Sequence, residues 1–305
     1  MFEELAKIET RKEMKVLKSD LEKVLNIEEK IIKKYENDER FKLYSGKHFE
    51  AYQSLYTTVQ EKFSNREITP SLLQGYIDAR DNTEKDTRAI IRGMYSAALL
   101  EIISTKKPET HTFIDGKGKT FNYLFYHIHN VKNLTLINII GHNTLANAGL
   151  NGGNVENITL SEIRGDYTLY NAGMNGGNVE NITLHKITGD CTLSFAGRGK
   201  GSAKHITLQD IKGNNTLSYA GWNGGSAQNI TLRDITGHDT LHSADWNNGN
   251  LKNILQENQL TEKQKQILSQ IELIAQTMYL LSFEEQTRAH DKIARLQKEI
   301  FAGEK

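Results

Sequence analysis

The sequence predicts a parallel β-solenoid flanked by α-helical regions on both sides. Three observations carry that prediction. A 24-residue unit repeats in register from Val131 to Asn250. Within each unit the apolar residues alternate with period two, and glycine-rich turns separate the alternating runs. Before and after this block the apolar spacing changes to three and four residues, the period of a helix.

Composition limits the alternatives. The chain has 305 residues, 38 Lys plus Arg and 38 Asp plus Glu, so its formal net charge is zero. No overall field draws it to nucleic acid or to an anionic membrane, and neither partner is expected. The mean hydropathy is −0.56 and no run of 18 apolar residues occurs. One cysteine, Cys191, excludes an intrachain disulfide framework and a cysteine-based zinc site. The first residues, MFEELAKIETRKEMKVLKSDLEKVL, lack the apolar run of a secretory leader, so a cytoplasmic location is expected.

Residues 1–106 read as about four helices. The first covers 2–36, with Leu17, Leu21, Val24, Ile31 and Tyr35 on one stripe. A second lies near 48–64. A third opens with Thr69 as cap and Pro70 at the first helical position. A fourth starts at Thr83 with Asp86 and carries Ile90, Ile91, Met94, Ala97, Ala98 and Ile102. Residues 107–256 read as the solenoid, and 257–305 as a helical hairpin that caps it. Thr261 with Gln264, and Ser282 with Glu285, fit capping boxes for helices at 262–281 and 283–301.

The units read VKNLTLINIIGHNTLANAGLNGGN, VENITLSEIRGDYTLYNAGMNGGN, VENITLHKITGDCTLSFAGRGKGS, AKHITLQDIKGNNTLSYAGWNGGS and AQNITLRDITGHDTLHSADWNNGN, and a sixth begins at Leu251. Each predicts two or three short strands. Alone a unit cannot bury its apolar face; stacked copies can. Ile158, Leu160, Ile163, Leu169 and Ala172 are predicted to point inward, over Ile182, Leu184, Ile187, Leu193 and Ala196 of the next coil. Asn133, Asn157, Asn181, Asn229 and Asn253 form a column broken by His205, and stacked amides suit a hydrogen-bonded ladder. Four of these lie in N-x-T sequons, for which the ladder is the preferred reading.

This regular coil, the asparagine column and the segment Thr112-Phe113-Ile114-Asp115-Gly116-Lys117-Gly118-Lys119-Thr120-Phe121 resemble the right-handed parallel β-helix of the pectin-lyase-like superfamily, over about residues 110–255. The resemblance implies a divergent first coil over 112–130, with Phe121, Leu124, Phe125 and Ile128 in its core. It implies no catalytic residue. The polygalacturonases of that group carry N-T-D, D-D, G-H-G and R-I-K motifs, and none occurs here.

Three sets of residues remain as candidates for chemistry. After each turn glycine come His142, Asp166, Asp190, Asn214 and His238. Asp166 and Asp190 stack one coil apart, as a candidate acid pair or cation site; turn-forming chemistry is the plainer reading. Arg198, Trp222 and Trp246 share a column, and Phe195 and Tyr219 share another, with Tyr170 nearby. These rings suit a sugar ligand or the docking of a flanking helix. Two threonine columns, through Thr159 and Thr168, resemble ice-binding arrays, but Glu162, Lys186, Asp210 and Arg233 beside them spoil a flat lattice. Cys191 reads as an incidental exposed thiol. The expected function is that of a non-enzymatic structural or interaction protein. Self-association or a protein partner through the helices is expected, no cofactor is, and a carbohydrate-binding or carbohydrate-active β-helix is the alternative.

Overall fold

A computed structural model describes residues 2–43, 45–84, 86–244, 247–256, 260–277, 281 and 283–302. Four helices come first: α1 (Phe2–Tyr35), α2 (His48–Lys62), α3 (Pro70–Ala79) and α4 (Thr87–Lys106). Seven strands follow: β1 (Thr112–Thr120), β2 (Asn130–Ile140), β3 (Asn154–Ser161), β4 (Asn178–Thr188), β5 (Ser202–Lys212), β6 (Ser226–Thr236) and β7 (Asn250–Gln256). Helices α5 (Glu262–Thr277) and α6 (Phe283–Ala302) end the description.

The seven strands form one parallel sheet in sequence order, a β-solenoid of about six turns. Register follows the repeat: Ile158 pairs with Ile182, Ile182 with Ile206, and Ile206 with Ile230. All ten side chains predicted to point inward in the second and third coils are fully buried. Each fully buried Ile or Leu contributes on the order of 1.5–3 kcal/mol of apolar transfer.

The coil differs from two or three separate strands. Each repeat supplies one strand, bent twice. The first bend falls on the asparagine column and the second on the column of Asn138, Glu162, Lys186, Asp210 and Asp234, all at φ of +50° to +57°. The rest of the coil is an arc of linked turns. Tyr167, Leu169, Asn171, Gly173 and Asn175 alternate at positive φ with their neighbours. Between them, the N–H of Tyr170, Ala172 and Met174 each donates to the carbonyl three residues back. The positive-φ residues donate across coils instead, Leu169 to Thr144, Tyr167 to Asp190 and Asn171 to Ser194. Every second residue therefore ties two coils together, which keeps a buried, non-extended backbone hydrogen-bonded.

Coil spacing explains one glycine column. A Cβ on Gly177 would sit 1.8 Å from the Gly149 carbonyl oxygen, and one on Gly201 1.8 Å from that of Gly173. Only hydrogen fits there.

The N-terminal helices close the first coil. Helices α1, α2, α3 and α4 share one continuous apolar core with the solenoid. Ser96 of α4 accepts the Phe125 N–H at 3.1 Å, and a Cβ on Gly93 would strike the Tyr123 backbone. Gln74 of α3 exchanges two hydrogen bonds of 2.9 Å with the Asp115 backbone of β1. Thr69 Oγ1 caps α3 by accepting the Leu72 N–H. The cap of α4 is Asp86, whose Oδ1 accepts the Ala89 N–H at 2.9 Å, and the helix opens at Thr87 rather than Thr83.

Helices α5 and α6 form a second core, with Ile267, Leu268, Ile271, Ile293, Leu296 and Ile300, which also takes in Leu255 of β7. Thr261 and Gln264 make the reciprocal bonds of a capping box. Ser282 of the second expected box lies outside the described residues. Leu255 joins the hairpin's core at the last coil. The hairpin lies on the outer face of the strands, where Gln297 Nε2 donates to Thr183 Oγ1 at 3.1 Å and Thr207 Oγ1 at 3.3 Å. A sheet face of threonines is flat and half polar, so it accepts a helix through its hydroxyls. The Thr159 column is buried in consequence. The Thr168 column is buried as well, its hydroxyls directed at the glycine carbonyls three residues back. Neither column is a surface array.

Candidate functional site

The candidate residues lie on two sides of the coil. The asparagine column sits at the first bend of the strands, where its side chains run along the solenoid axis. Asn157 Nδ2 donates to Asn133 Oδ1 at 2.8 Å, Asn181 to Asn157 at 3.0 Å and Asn253 to Asn229 at 2.8 Å. Asparagine suits the position twice, since it tolerates positive φ and carries both a donor and an acceptor. At His205 the run changes. Asn229 Nδ2 meets His205 Nδ1 at 3.4 Å, and the buried Asn181 Oδ1 has no hydrogen-bond partner. Further amide pairs occur on the turn arc, Asn171 to Asn147 and Asn175 to Asn151, and beside the strands, Asn178 to Asn154.

Asp166 and Asp190 are brought one above the other. Their carboxylates act on the backbone: Asp166 Oδ1 accepts the Asp190 N–H at 2.9 Å, and Asp190 Oδ1 accepts the Asn214 N–H at 2.7 Å. Asn214 repeats the contact with His238, and His142 Nδ1 accepts from Asp166 N–H. Asp, Asn and His share this column because each offers an acceptor at the same place. Among the described residues no group of three or more His, Cys, Asp and Glu is arranged to hold a metal ion. Cys191 is half-buried rather than exposed, and burial raises its thiol above the ordinary pKa, away from a reactive thiolate.

The aromatic column lies on the turn arc. Phe195 and Tyr219 stack face to face, centroids 4.8 Å apart and planes 5° from parallel. Tyr170 meets Phe195 edge-on at 5.5 Å, and Tyr167 meets Tyr170 at 5.3 Å. The Arg198 guanidinium lies 4.0 Å over the Trp222 ring and 5.0 Å over Phe195. Trp246 lies outside the described residues. The contacts of α5 and α6 given above fall on the strand side, so these rings pack on one another and on Arg198. Tyr170, Phe195, Tyr219 and Trp222 are half-buried, and the Trp222 ring nitrogen is buried. Tyr167 is the most open, at 40% exposure.

Several depressions flank the hairpin. A groove of ≈ 670 Å³ between the asparagine column and α6 is lined by Glu156, Glu180, Lys132, Arg295 and Lys298. A second opening, ≈ 800 Å³, lies at the last coil by Leu232, Ile235, Thr240 and Lys265. It lies beside the end of β7 at Gln256.

Buried polar clusters in the N-terminal region left no mark in the sequence pattern. Glu28 is fully buried between Tyr76, whose hydroxyl donates at 2.5 Å, and the Arg80 guanidinium. Burial raises its pKa, against the lowering pull of Tyr76 and Arg80. Glu101 accepts from Tyr52 hydroxyl at 2.5 Å, His129 N–H at 3.0 Å and Asn130 Nδ2 at 3.1 Å, tying α2 and α4 to the first coil. Both clusters are structural ties, although Glu28 Oε2, paired in charge with Arg80, and Arg80 Nε are buried without a hydrogen bond.

Compared with known family models, curated proteins and solved structures, the chain shows no match. No described helix is long and apolar enough to cross a membrane.

Proposed function

We propose that this is a non-enzymatic interaction protein that presents the turn side of a rigid solenoid to a protein partner. One observation carries the reading: the column of Tyr167, Tyr170, Phe195, Tyr219 and Trp222 with Arg198 lies on a face that the hairpin leaves open. Tyr, Trp and Arg are the residues on which protein interfaces concentrate binding energy, because they pair large apolar area with a polar tip. The acid column supports the absence of catalysis, since each carboxylate named above is engaged by a backbone N–H of the next coil. We place the protein in the cytoplasm and, at the level of fold, in the pectin-lyase-like group. The asparagine column and the Ile114-Asp115-Gly116 segment of β1 support that grouping.

The carbohydrate-binding alternative needs open ring faces for sugar to stack on. The face-to-face contact of Phe195 with Tyr219 and the cover of Arg198 over Trp222 favour the protein partner instead. Light scattering and a glycan array separate the two. The interaction reading expects a mass above that of the monomer, or capture of a partner, lost in Tyr167→Ala with Arg198→Ala. Glycan binding that disappears in Trp222→Ala would replace it with the carbohydrate reading.

A further inference from the structure

The hairpin α5–α6 packs its apolar core on itself and on Leu255 of β7 at the last coil, and polar contacts recur where it meets the threonine face. Gln297 and Lys298 reach β4 and β5 at one end, Lys298 lying 4.0 Å from Glu180. At the other end α6 places His290 against His111, in the segment that enters β1. The two rings lie against each other with centroids 4.3 Å apart and planes tilted by 39°, and both are almost fully buried, at 1% exposure for His111 and 2% for His290. His290 Nε2 bonds Thr135 Oγ1 at 2.8 Å. Neither ring nitrogen of His111 has a hydrogen-bond partner.

We propose that α5–α6 is a detachable cover over the threonine face, held shut by the buried, uncharged His111–His290 pair and released when acid charges that pair. The proposal stands apart from the turn-side reading above, because it concerns the opposite side of the coil. Two imidazoliums at this distance, without a carboxylate between them, repel and demand water, and the only way to supply water is to lift α6 from the strands. The charged neighbours do not neutralise the pair. Glu109 beside Pro108, Lys132 on β2, and Asp291 and Arg295 on α6 are exposed along the groove rim. Under α5, His185 on β4 has its own partner in Asp210 at 3.4 Å.

Burial alone pulls His111 down to about 4, and burial, then the charge of His111, depresses His290 further. The sign follows. A histidine whose pKa is lower in the closed state than in the open state stays neutral when closed. Closure is therefore complete above the open-state value near 6.5 and weakens as pH falls toward 4. Between neutral pH and pH 4 His111 alone lowers the closed-to-open ratio roughly 150-fold.

The test uses the full chain with Cys191→Ser, and fluorophores on Lys292→Cys of α6 and Lys186→Cys of β4. Energy transfer is read from pH 7.5 to 4, with far-UV circular dichroism alongside. The expected result is one short distance at neutral pH and a long, broad distribution near pH 4, while the β signal persists. His111→Phe with His290→Gln keeps a ring and an amide in place without a titrating proton, and stays closed at pH 4. If that variant does not fold, His111→Phe alone moves the opening midpoint to lower pH. An unchanged distance at pH 4, a midpoint that neither variant moves, or loss of cover and solenoid in one transition would overturn the proposal.

Discussion

Replacing His205 with asparagine closes the gap in the amide ladder, and the gain can be worked from the structure. His205 sits at φ +53°, a conformation asparagine adopts more readily than histidine. It leaves Asn181 Oδ1 buried without a partner and Asn229 Nδ2 at 3.4 Å. An asparagine there would donate to the first and accept from the second, at the 2.8–3.0 Å of the intact rungs. A buried acceptor left unpaired costs about 1–3 kcal/mol. Loss of the half-buried imidazole takes back about 1 kcal/mol. The net gain at pH 7 is about 0–2 kcal/mol, with a middle value of about 1 kcal/mol, a factor of roughly 5 in a local opening equilibrium. A long repeat array need not unfold in one step, so the assay is native-state hydrogen exchange of β4, β5 and β6 rather than a melting point. Those amides are expected to exchange roughly 5-fold more slowly in His205→Asn. Burial also holds the His205 pKa below its ordinary value. Its folded pKa thus lies below the unfolded one, and the natural chain loses stability as pH falls below about 6.5. The advantage of the variant is therefore expected to widen between pH 7 and 5. Exchange as fast as in the natural chain, or an advantage that shrinks in acid, would refute the reasoning.

Three further outcomes follow from the stacking geometry. Asp190→Ala removes the acceptor of the Asn214 N–H and is expected to lower stability by about 1 kcal/mol, whereas Asp190→Asn is near neutral, as urea denaturation would read. Gly201→Ala drives a methyl into the Gly173 carbonyl, with no flexible atom to yield; a loss of at least about 2–3 kcal/mol is expected in the urea midpoint, and an unchanged midpoint would contradict the coil spacing. Arg198→Ala, in a Trp246→Phe background, uncovers one face of Trp222; a red-shifted emission and a loss of about 0.5–2 kcal/mol are expected.

What was legible in the sequence was whatever the repeat enforced. Identical units must present like side chains to each other, so Ile158 over Ile182 and Leu169 over Leu193 could be read from spacing alone. The turn arc could not. A buried leucine such as Leu169 at φ +53° breaks the ordinary preference of its type, and alternation of backbone sign gives the same period-two pattern as a strand. The hairpin's seat was hidden for a different reason. His290 and Gln297 are polar residues on an amphipathic helix, where polarity signals solvent, and only the threonine hydroxyls opposite make them buried contacts. Glu28 and Glu101 escaped notice likewise, since an isolated carboxylate in a helix gives no sign of the tyrosine that meets it.

The dimensions of α6 bear on how this chain can vary in length. Its 20 residues span about 30 Å. Six inter-strand steps between β1 and β7 amount to about 29 Å. The helix thus works as a gauge laid beside a ladder: duplication of one more 24-residue rung would outrun it, and deletion would leave it overhanging. Any lineage that gained or dropped a rung would need to retune this helix by about three residues for the two to stay matched.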